Sequence, residues 1–329
     1  MSASFVDLVD LAAERLGASV VAANDEFFAP KENLIKASAA IWREDEYNER
    51  GKWMDGWETR RRRDGGDHDW CIVRLGARGV VRGVDIDTSF FTGNYPESCA
   101  LDACDARGNL SADDLSRTAW REILPRHPLT GDTHNLIAVD EAAPATHLRL
   151  RIFPDGGVAR LRAYGDVVAD WNRLRRQGEV DLAAVEHGGF VVACSDMFFG
   201  SRHNLIMPGD ATHMGDGWET RRRRGPGHDW TIVRLGAAGT IRRVEVDTRH
   251  FKGNAPGACS LEACADDTAA VVGGEPVAWR ELLARTPLQP HTRHWFEETV
   301  IAVGEVTHVR FNIYPDGGVA RLRLFGRPK

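Results

Sequence analysis

The sequence predicts an all-β protein built as two tandem jelly-roll β-sandwich domains with few short helices. Three observations predict it. The chain repeats itself almost end to end, its apolar residues alternate with period two inside each copy, and Gly, Pro and Asn turn signals separate the alternating runs. The first copy is assigned to residues 1–169 and the second to residues 170–329.

The repeat begins early. Asp10-Leu11-Ala12-Ala13 returns as Asp181-Leu182-Ala183-Ala184, and Asp25-Glu26-Phe27-Phe28 returns as Asp196-Met197-Phe198-Phe199. Both pairs are offset by 171 residues, but the offset falls to 161 at Trp57 and Trp218. The first copy therefore carries ten extra residues, in the polar stretch around Trp42 to Lys52. Pro154-Asp155-Gly156-Gly157-Val158-Ala159-Arg160-Leu161-Arg162 recurs letter for letter from Pro315 to Arg323. Units of about 165 residues are too long for solenoid repeats and read as duplicated domains.

Within a copy, Cys71, Val73 and Leu75 alternate with Ile72 and Arg74, and Leu148, Leu150 and Ile152 alternate with Arg149 and Arg151. Such alternation marks half-buried antiparallel strands. Thr92-Gly93-Asn94 and Pro154-Asp155-Gly156-Gly157 are turns between them. Helical spacing is confined to Phe5, Leu8, Val9, Ala12 and Leu16, closed by Gly17, with a shorter counterpart from Asp181 to His187, closed by Gly188. Residues 166–179, polar but not Gly/Ser-rich, read as a structured connector.

Composition bounds the function. The 329 residues carry a net charge of −6, so general affinity for nucleic acid or membranes is not expected. No run approaches the roughly 18 apolar residues of a membrane span. Asp7, Asp10 and Glu14 interrupt the N-terminal region, unlike a signal peptide. The six cysteines show no zinc-ligand spacing and read as buried, reduced thiols, which makes a cytoplasmic location the default. No metal or nucleotide-cofactor motif is present, so neither a metal nor a cofactor is expected.

Against this acidic background one stretch is strongly basic and occurs twice: Trp57-Glu58-Thr59-Arg60-Arg61-Arg62-Arg63 and Trp218-Glu219-Thr220-Arg221-Arg222-Arg223-Arg224. Each is followed by His-Asp-Trp, at His68 and at His228. Arg suits bidentate carboxylate recognition. In an extended segment Arg60 and Arg62, and likewise Arg221 and Arg223, share one face. One alternating pair is therefore expected to grip a small anion while the other meets acidic groups, a neighbouring subunit or solvent. His68 and His228 are candidates for acid or base work, or simply turn residues. Glu58 and Glu219 are candidate bases or partners of the arginines. Asn94 and Asn254 either adopt a left-handed turn or bond an amide. Arg160 and Arg321 extend from the last strand as further site candidates.

Together, Asp-x-Phe-Phe, Gly-Trp-Glu-Thr-Arg-Arg-Arg-Arg, His-Asp-Trp, Phe-x-Gly-Asn-x-Pro and Pro-Asp-Gly-Gly-Val-Ala-Arg resemble the allantoicase family, over nearly the whole chain from Asp10 to Gly326. The resemblance implies jelly rolls of the galactose-binding-like type, hydrolysis of allantoate to ureidoglycolate and urea in purine breakdown, and a homo-oligomer. Under that chemistry Arg60 or Arg62, with Arg221 or Arg223, would bind the substrate carboxylate. His68 or His228 would protonate the departing nitrogen, Glu58 or Glu219 would be the base, and Asn94 or Asn254 would bond the ureido carbonyl. The competing readings are a non-enzymatic carbohydrate-binding sandwich and a related ureide hydrolase that releases ammonia.

Overall fold

A computed structural model describes residues 4–63, 65–108, 110–273 and 276–329. The chain divides into two compact units, Met1–Val168 and Ala169–Lys329.

In the first unit the strands are β1 (Val9–Asp10), β2 (Ser19–Ala23), β3 (Tyr47–Asn48), β4 (Gly51–Lys52), β5 (Trp57–Glu58), β6 (Asp69–Asp87), β7 (Ser98–Cys104), β8 (Arg121–Pro128), β9 (His134–Ala138), β10 (Ala145–Phe153), β11 (Gly157–Val158) and β12 (Arg160–Val167). The 19-residue β6 organises them. Its first half, from Asp69 to Arg74, pairs with β10 and β2, and its second half, from Gly79 to Asp87, pairs with β12 and β9. One strand thus serves both faces of the sandwich, and all these pairings are antiparallel. The order β1-β12-β6-β10-β7-β8 completes the main sheet, and β5 with β11 forms a two-residue ribbon beside it. Leu148, Leu150, Ile152, Val84, Ile86, Leu161 and Trp57 fill the core. These are the residues the period-two pattern turns inward.

The second unit repeats the plan with β13 (Val180–Asp181), β14 (Phe190–Cys194), β15 (Trp218–Glu219), β16 (Asp229–Asp247), β17 (Ala258–Cys264), β18 (Arg280–Pro287), β19 (Arg293–Phe296), β20 (Val306–Tyr314), β21 (Gly318–Val319) and β22 (Arg321–Pro328). The order β13-β22-β16-β20-β17-β18 matches that of the first unit strand for strand. The all-β jelly-roll expectation therefore holds. The only α-helices among the described residues are short: α1 (Ala112–Ser116), α2 (Trp171–Gln177) and α3 (Thr268–Gly273). The connector holds α2, whose first turn is capped by the Asp170 carboxylate accepting from Arg173 N at 3.0 Å.

One local expectation fails. Residues 5–17 do not form a helix but a 3-10 turn at Ser4–Asp7, strand β1, and a second 3-10 turn at Glu14–Leu16. The reason is Asp10. Its carboxylate accepts from Ala12 N and from Ala163 N, both at 3.0 Å, stitching the segment to β12 instead of to itself. Asp181 does the same with Ala183 N and Leu324 N. A local carboxylate competing for backbone N–H groups in this way is why Asp disfavours helix interiors. Gly17 and Gly188 do close the 3-10 turns, at φ 96° and 89°, a conformation that favours glycine.

Candidate functional site

The doubled Trp-Glu-Thr-Arg-Arg-Arg-Arg stretch is a knot of local bonds. Trp57 and Trp218 are fully buried, and each indole N–H donates at 2.8 Å to a carbonyl, of Asp25 and of Asp196. Those two aspartates then turn their carboxylates to the Arg run: Asp25 accepts from Arg60 N and Asp196 from Arg221 N, each at 2.7 Å. Burial pushes the Asp25 carboxyl up, but the Arg60 N–H bonds and charge outweigh it and hold the group below the usual carboxylate range. The repeated Asp-x-Phe-Phe motif thus anchors the arginines, a role sequence reasoning did not assign.

The Arg run lies outside any strand, which corrects the expected alternation. Arg60 and Arg62 do not share a face. Arg60 is exposed; its Nε reaches Asp25 at 3.1 Å and its guanidinium lies over the Phe27 ring. Arg62 turns inward, because its backbone N donates to the Asp155 carboxylate at 2.7 Å and its Nη1 to the His68 carbonyl and the Asp69 carboxylate. The second copy follows. Arg221 is exposed over Phe198 at 4.3 Å, whereas Arg223 N donates to Asp316 and its Nη2 to Asp229. Arg62 and Arg223 therefore brace the fold, while Arg60 and Arg221 keep an outward guanidinium.

Glu58 and Asn94, separate candidates in the sequence, are brought together: Asn94 Nδ2 donates to Glu58 Oε1 at 2.7 Å. Glu219 and Asn254 make the same bond at 2.5 Å. The backbone explains the meeting. Glu58 pairs with Gly157 across the ribbon, and Gly157 N donates to the Asn94 carbonyl at 2.7 Å. The Gly-Gly turn can approach this closely only without side chains. Gly156 has φ 137°, and a Cβ there would lie 2.7 Å from the Asn94 oxygen; one on Gly157 would enter the Phe91 ring. Glu58 is 9% exposed, and burial raises its carboxyl above the ordinary range despite the opposing Asn94 bond. Asn94 is exposed above it. The arrangement is a buried carboxylate bonded to an exposed carboxamide, with an outward guanidinium two residues along in sequence.

The histidines stand apart from this pair. His68 Nδ1 bonds the Asp67 carboxylate at 2.6 Å, and its ring lies against Phe153. His228 Nε2 donates to Asn312 Oδ1 at 3.2 Å, and its ring lies against Tyr314. Among the described residues neither ring bonds a Glu–Asn pair. The His-Asp-Trp aspartates are structural: Asp69 accepts from Asn24 and Arg62, and Asp229 from Ser195 and Arg223.

Arg160 and Arg321 do not fit a substrate-binding role. Arg160 is 1% exposed, and its guanidinium is spent on Ser38 O, Ala39 O, Asp55 O, Ala159 O and the Asp55 carboxylate. Arg321 is also buried, donating to the carbonyls of Asn204, Gly209, Asp216 and Ala320. Both tie the last strand to the preceding loops. No group of three or more metal-ligating side chains occurs among the described residues.

Two jelly rolls, each presenting a carboxylate–carboxamide pair with an adjacent arginine, define a duplicated β-sandwich protein suited to a small polar anion. The allantoicase repeat model matches residues 9–168 and 180–329. A probable allantoicase of Pseudomonas paraeruginosa is 51% identical, covering 99% of this chain and 98% of that protein. A probable allantoicase of Burkholderia pseudomallei is 50% identical, covering 97% and 94%. The crystal structure of allantoicase from Saccharomyces cerevisiae superposes with a TM-score of 0.81 at 36% identity, covering 97% of this chain and 92% of that one. The chain belongs to the allantoicase family.

Proposed function

We propose that the protein hydrolyses allantoate to ureidoglycolate and urea in the breakdown of purines. The full-length family match carries the reading, and the buried Glu58 bonded to Asn94 gives it a chemistry. Allantoate carries a carboxylate and two ureido groups on one carbon. Releasing urea breaks the bond from that carbon to a ureido nitrogen and forms a bond to a water oxygen. Glu58, its basicity raised by burial, takes a proton from the water and returns it to the departing nitrogen. Asn94 bonds the ureido group and orients it against the carboxylate. His68 is not given the acid role, because among the described residues its ring contacts Asp67 and Phe153 and bonds neither Glu58 nor Asn94.

Arg60 is the carboxylate clamp. It stands two residues from Glu58, with Nε fixed by Asp25 and its terminal nitrogens turned outward. The second unit presents the same set, Glu219, Asn254 and Arg221. Its Glu219 is less buried, so the first unit is assigned the larger share of turnover. Charge-assisted hydrogen bonds contribute roughly 1.5–3 kcal/mol, so Arg60→Ala with Arg221→Ala should lower kcat/KM on allantoate by about ten- to a hundredfold, and Arg60→Ala alone should remove most of the first unit's share. Arg221→Ala should have a smaller effect. Steady-state kinetics on variants shown to be folded by circular dichroism checks this. Full activity in both single variants and in the double variant would remove the clamp.

The buried free cysteines, Cys71, Cys99, Cys104, Cys259 and Cys264, support a reducing, cytoplasmic setting. Among the described residues no helix is long and apolar enough to cross a membrane. The protein is proposed to act as a homo-oligomer, as the family resemblance implies.

A further inference from the structure

The two units part company on the outer face of one sheet. In the first unit that face is filled by ion pairs. Arg151 reaches from β10 to Asp102 at 3.0 Å and to Glu122 at 2.7 Å, and Arg149 also bonds Asp102. Arg126 lies over the Phe153 ring, and its Nε is held by Ser98 Oγ at 2.7 Å.

The strand registers give the counterparts in the second unit. Phe153 faces Ser98 as Tyr314 faces Ala258, and Arg151 faces Ala100 as Asn312 faces Ser260. Likewise β8 pairs with β7 as β18 pairs with β17, which aligns Arg126 with Arg285. Two exchanges matter most. Asn312 replaces Arg151 and vacates the volume of a guanidinium, while Ala258 replaces Ser98 and takes away the hydroxyl that held the arginine.

A pocket of about 360 Å³ opens there, lined by His228, Ser260, Glu262, Arg285, Asn312 and Tyr314 among others. Its floor is ordered. Asn312, 2% exposed, donates to Ser260 Oγ and to Glu262 Oε2, both at 3.2 Å, and accepts from His228 Nε2 at 3.2 Å. Ser260 Oγ and Tyr314 OH are 2.9 Å apart. At the rim Arg285 stacks over Tyr314 at 4.0 Å and makes no ion pair among the described residues.

We propose that this pocket of the second unit is a binding site for a small carboxylate that bears an amide or ureido group. Arg285 takes the carboxylate, and the Ser260–Tyr314 hydroxyls with the Glu262 carboxylate take the N–H groups and carbonyl of the ureide. Hydroxyls, a carboxamide and the Glu262 carboxylate, itself 4.0 Å from Arg310, give donors and acceptors for the ureide, and the Arg285 cation at the rim faces the carboxylate; Glu281 completes the charged lining. The volume lies at the lower end of small-molecule sites, fitting a compact ligand. No member of either Glu–Asn pair lines it, and it gives His228 a role in shaping a pocket. The choice of a ureide rests on the proposed activity; the existence of the pocket does not.

N-carbamoylglycine is a suitable probe: it has one ureido group and one carboxylate, and lacks the doubly substituted carbon from which urea would be lost. Calorimetric titration of the full chain should detect its binding. Arg285→Ala, an exposed change, should weaken that binding at least tenfold. Asn312→Arg, which restores the first unit's residue, should abolish it. The Arg60→Ala, Arg221→Ala double variant, which lacks both proposed carboxylate clamps, should still bind it, and in that background Arg285→Ala should weaken the binding at least tenfold. Absence of binding to the wild type, loss of binding in the Arg60→Ala, Arg221→Ala protein, or unchanged binding when Arg285→Ala is added to it would overturn the proposal. The proposed activity fails by a different readout, the release of urea from allantoate, so the two failures are distinguishable.

Discussion

In a Glu219→Gln background, Glu58→Gln is expected to lower kcat/KM on allantoate by about 10²–10⁴-fold, the usual contribution of a positioned general base. The exchange is close to isosteric. A Gln side-chain oxygen still accepts from Asn94, so the site keeps its shape while losing its proton acceptor. The pH dependence follows from burial. Glu58 holds its proton more tightly when folded than unfolded, so ionising it costs stability as pH rises through its raised pKa. Below the range of an ordinary unfolded carboxyl, that cost is absent. The Gln variant escapes the cost, and at neutral pH it should be at least as stable as the wild type. The acid limb of the wild-type kcat/KM profile should sit above the ordinary Glu value of about 4.3 and vanish in the residual activity of the variant. A pH–rate series combined with urea unfolding at pH 7 measures both. An active Glu58→Gln protein with an unaltered acid limb would remove the residue from the chemistry, and a loss confined to Glu219→Gln would move the chemistry to the second unit.

Arg160→Ala is expected to destabilise the first unit by about 3–5 kcal/mol, the range for breaking a buried ion pair from one side. Its guanidinium pairs with the Asp55 carboxylate at 2.7 Å and holds four backbone carbonyls. Burial pushes the Asp55 carboxyl up, but Arg160 reverses this and holds it below the usual range. Removing Arg160 leaves that carboxylate with the half-exposed Lys36 at 3.3 Å and the Ile41 N–H. Arg160→Lys keeps a charge but not the planar fork, and should recover only part of the loss. Denaturant unfolding measures the effect. An Arg160→Ala protein of unchanged stability but raised KM would restore the substrate-binding role that the buried geometry denies it.

Much of the fold was legible because a jelly roll is written in local patterns. Alternation at Leu148, Leu150 and Ile152 and the Gly-Gly turn before Val158 are both near-neighbour signals, and duplication displayed each of them twice. The helix expected before Gly17 failed through one long-range bond, from Asp10 to Ala163 N, which no window of neighbours contains. The site was half legible. Glu58 and Asn94 were named singly, but their meeting depends on Gly157 clasping Asn94 from 63 positions away in sequence. Arg160 was misread because identity between copies marks a shared constraint without saying whether its origin is a ligand or a buried Asp55, 105 residues distant. The Arg run was misread because alternation was extended past Glu58, where the strand ends and Asp25 and Asp155 take over the backbone. The pocket around Asn312 was visible only as a difference between copies, in the exchanges of Arg151 and Ser98, and its meaning required the registers.

The central claim is that water attacks the carbon bearing both ureido groups and expels one of them intact. Turnover of allantoate in ¹⁸O-labelled water, with the products resolved by mass spectrometry, tests it most directly. The expected result is one urea per allantoate, without label and without ammonia, and the ¹⁸O in the hydroxyl of ureidoglycolate. Ammonia with labelled carbon dioxide would place the attack at a ureido carbonyl and contradict the account, as would the absence of any turnover.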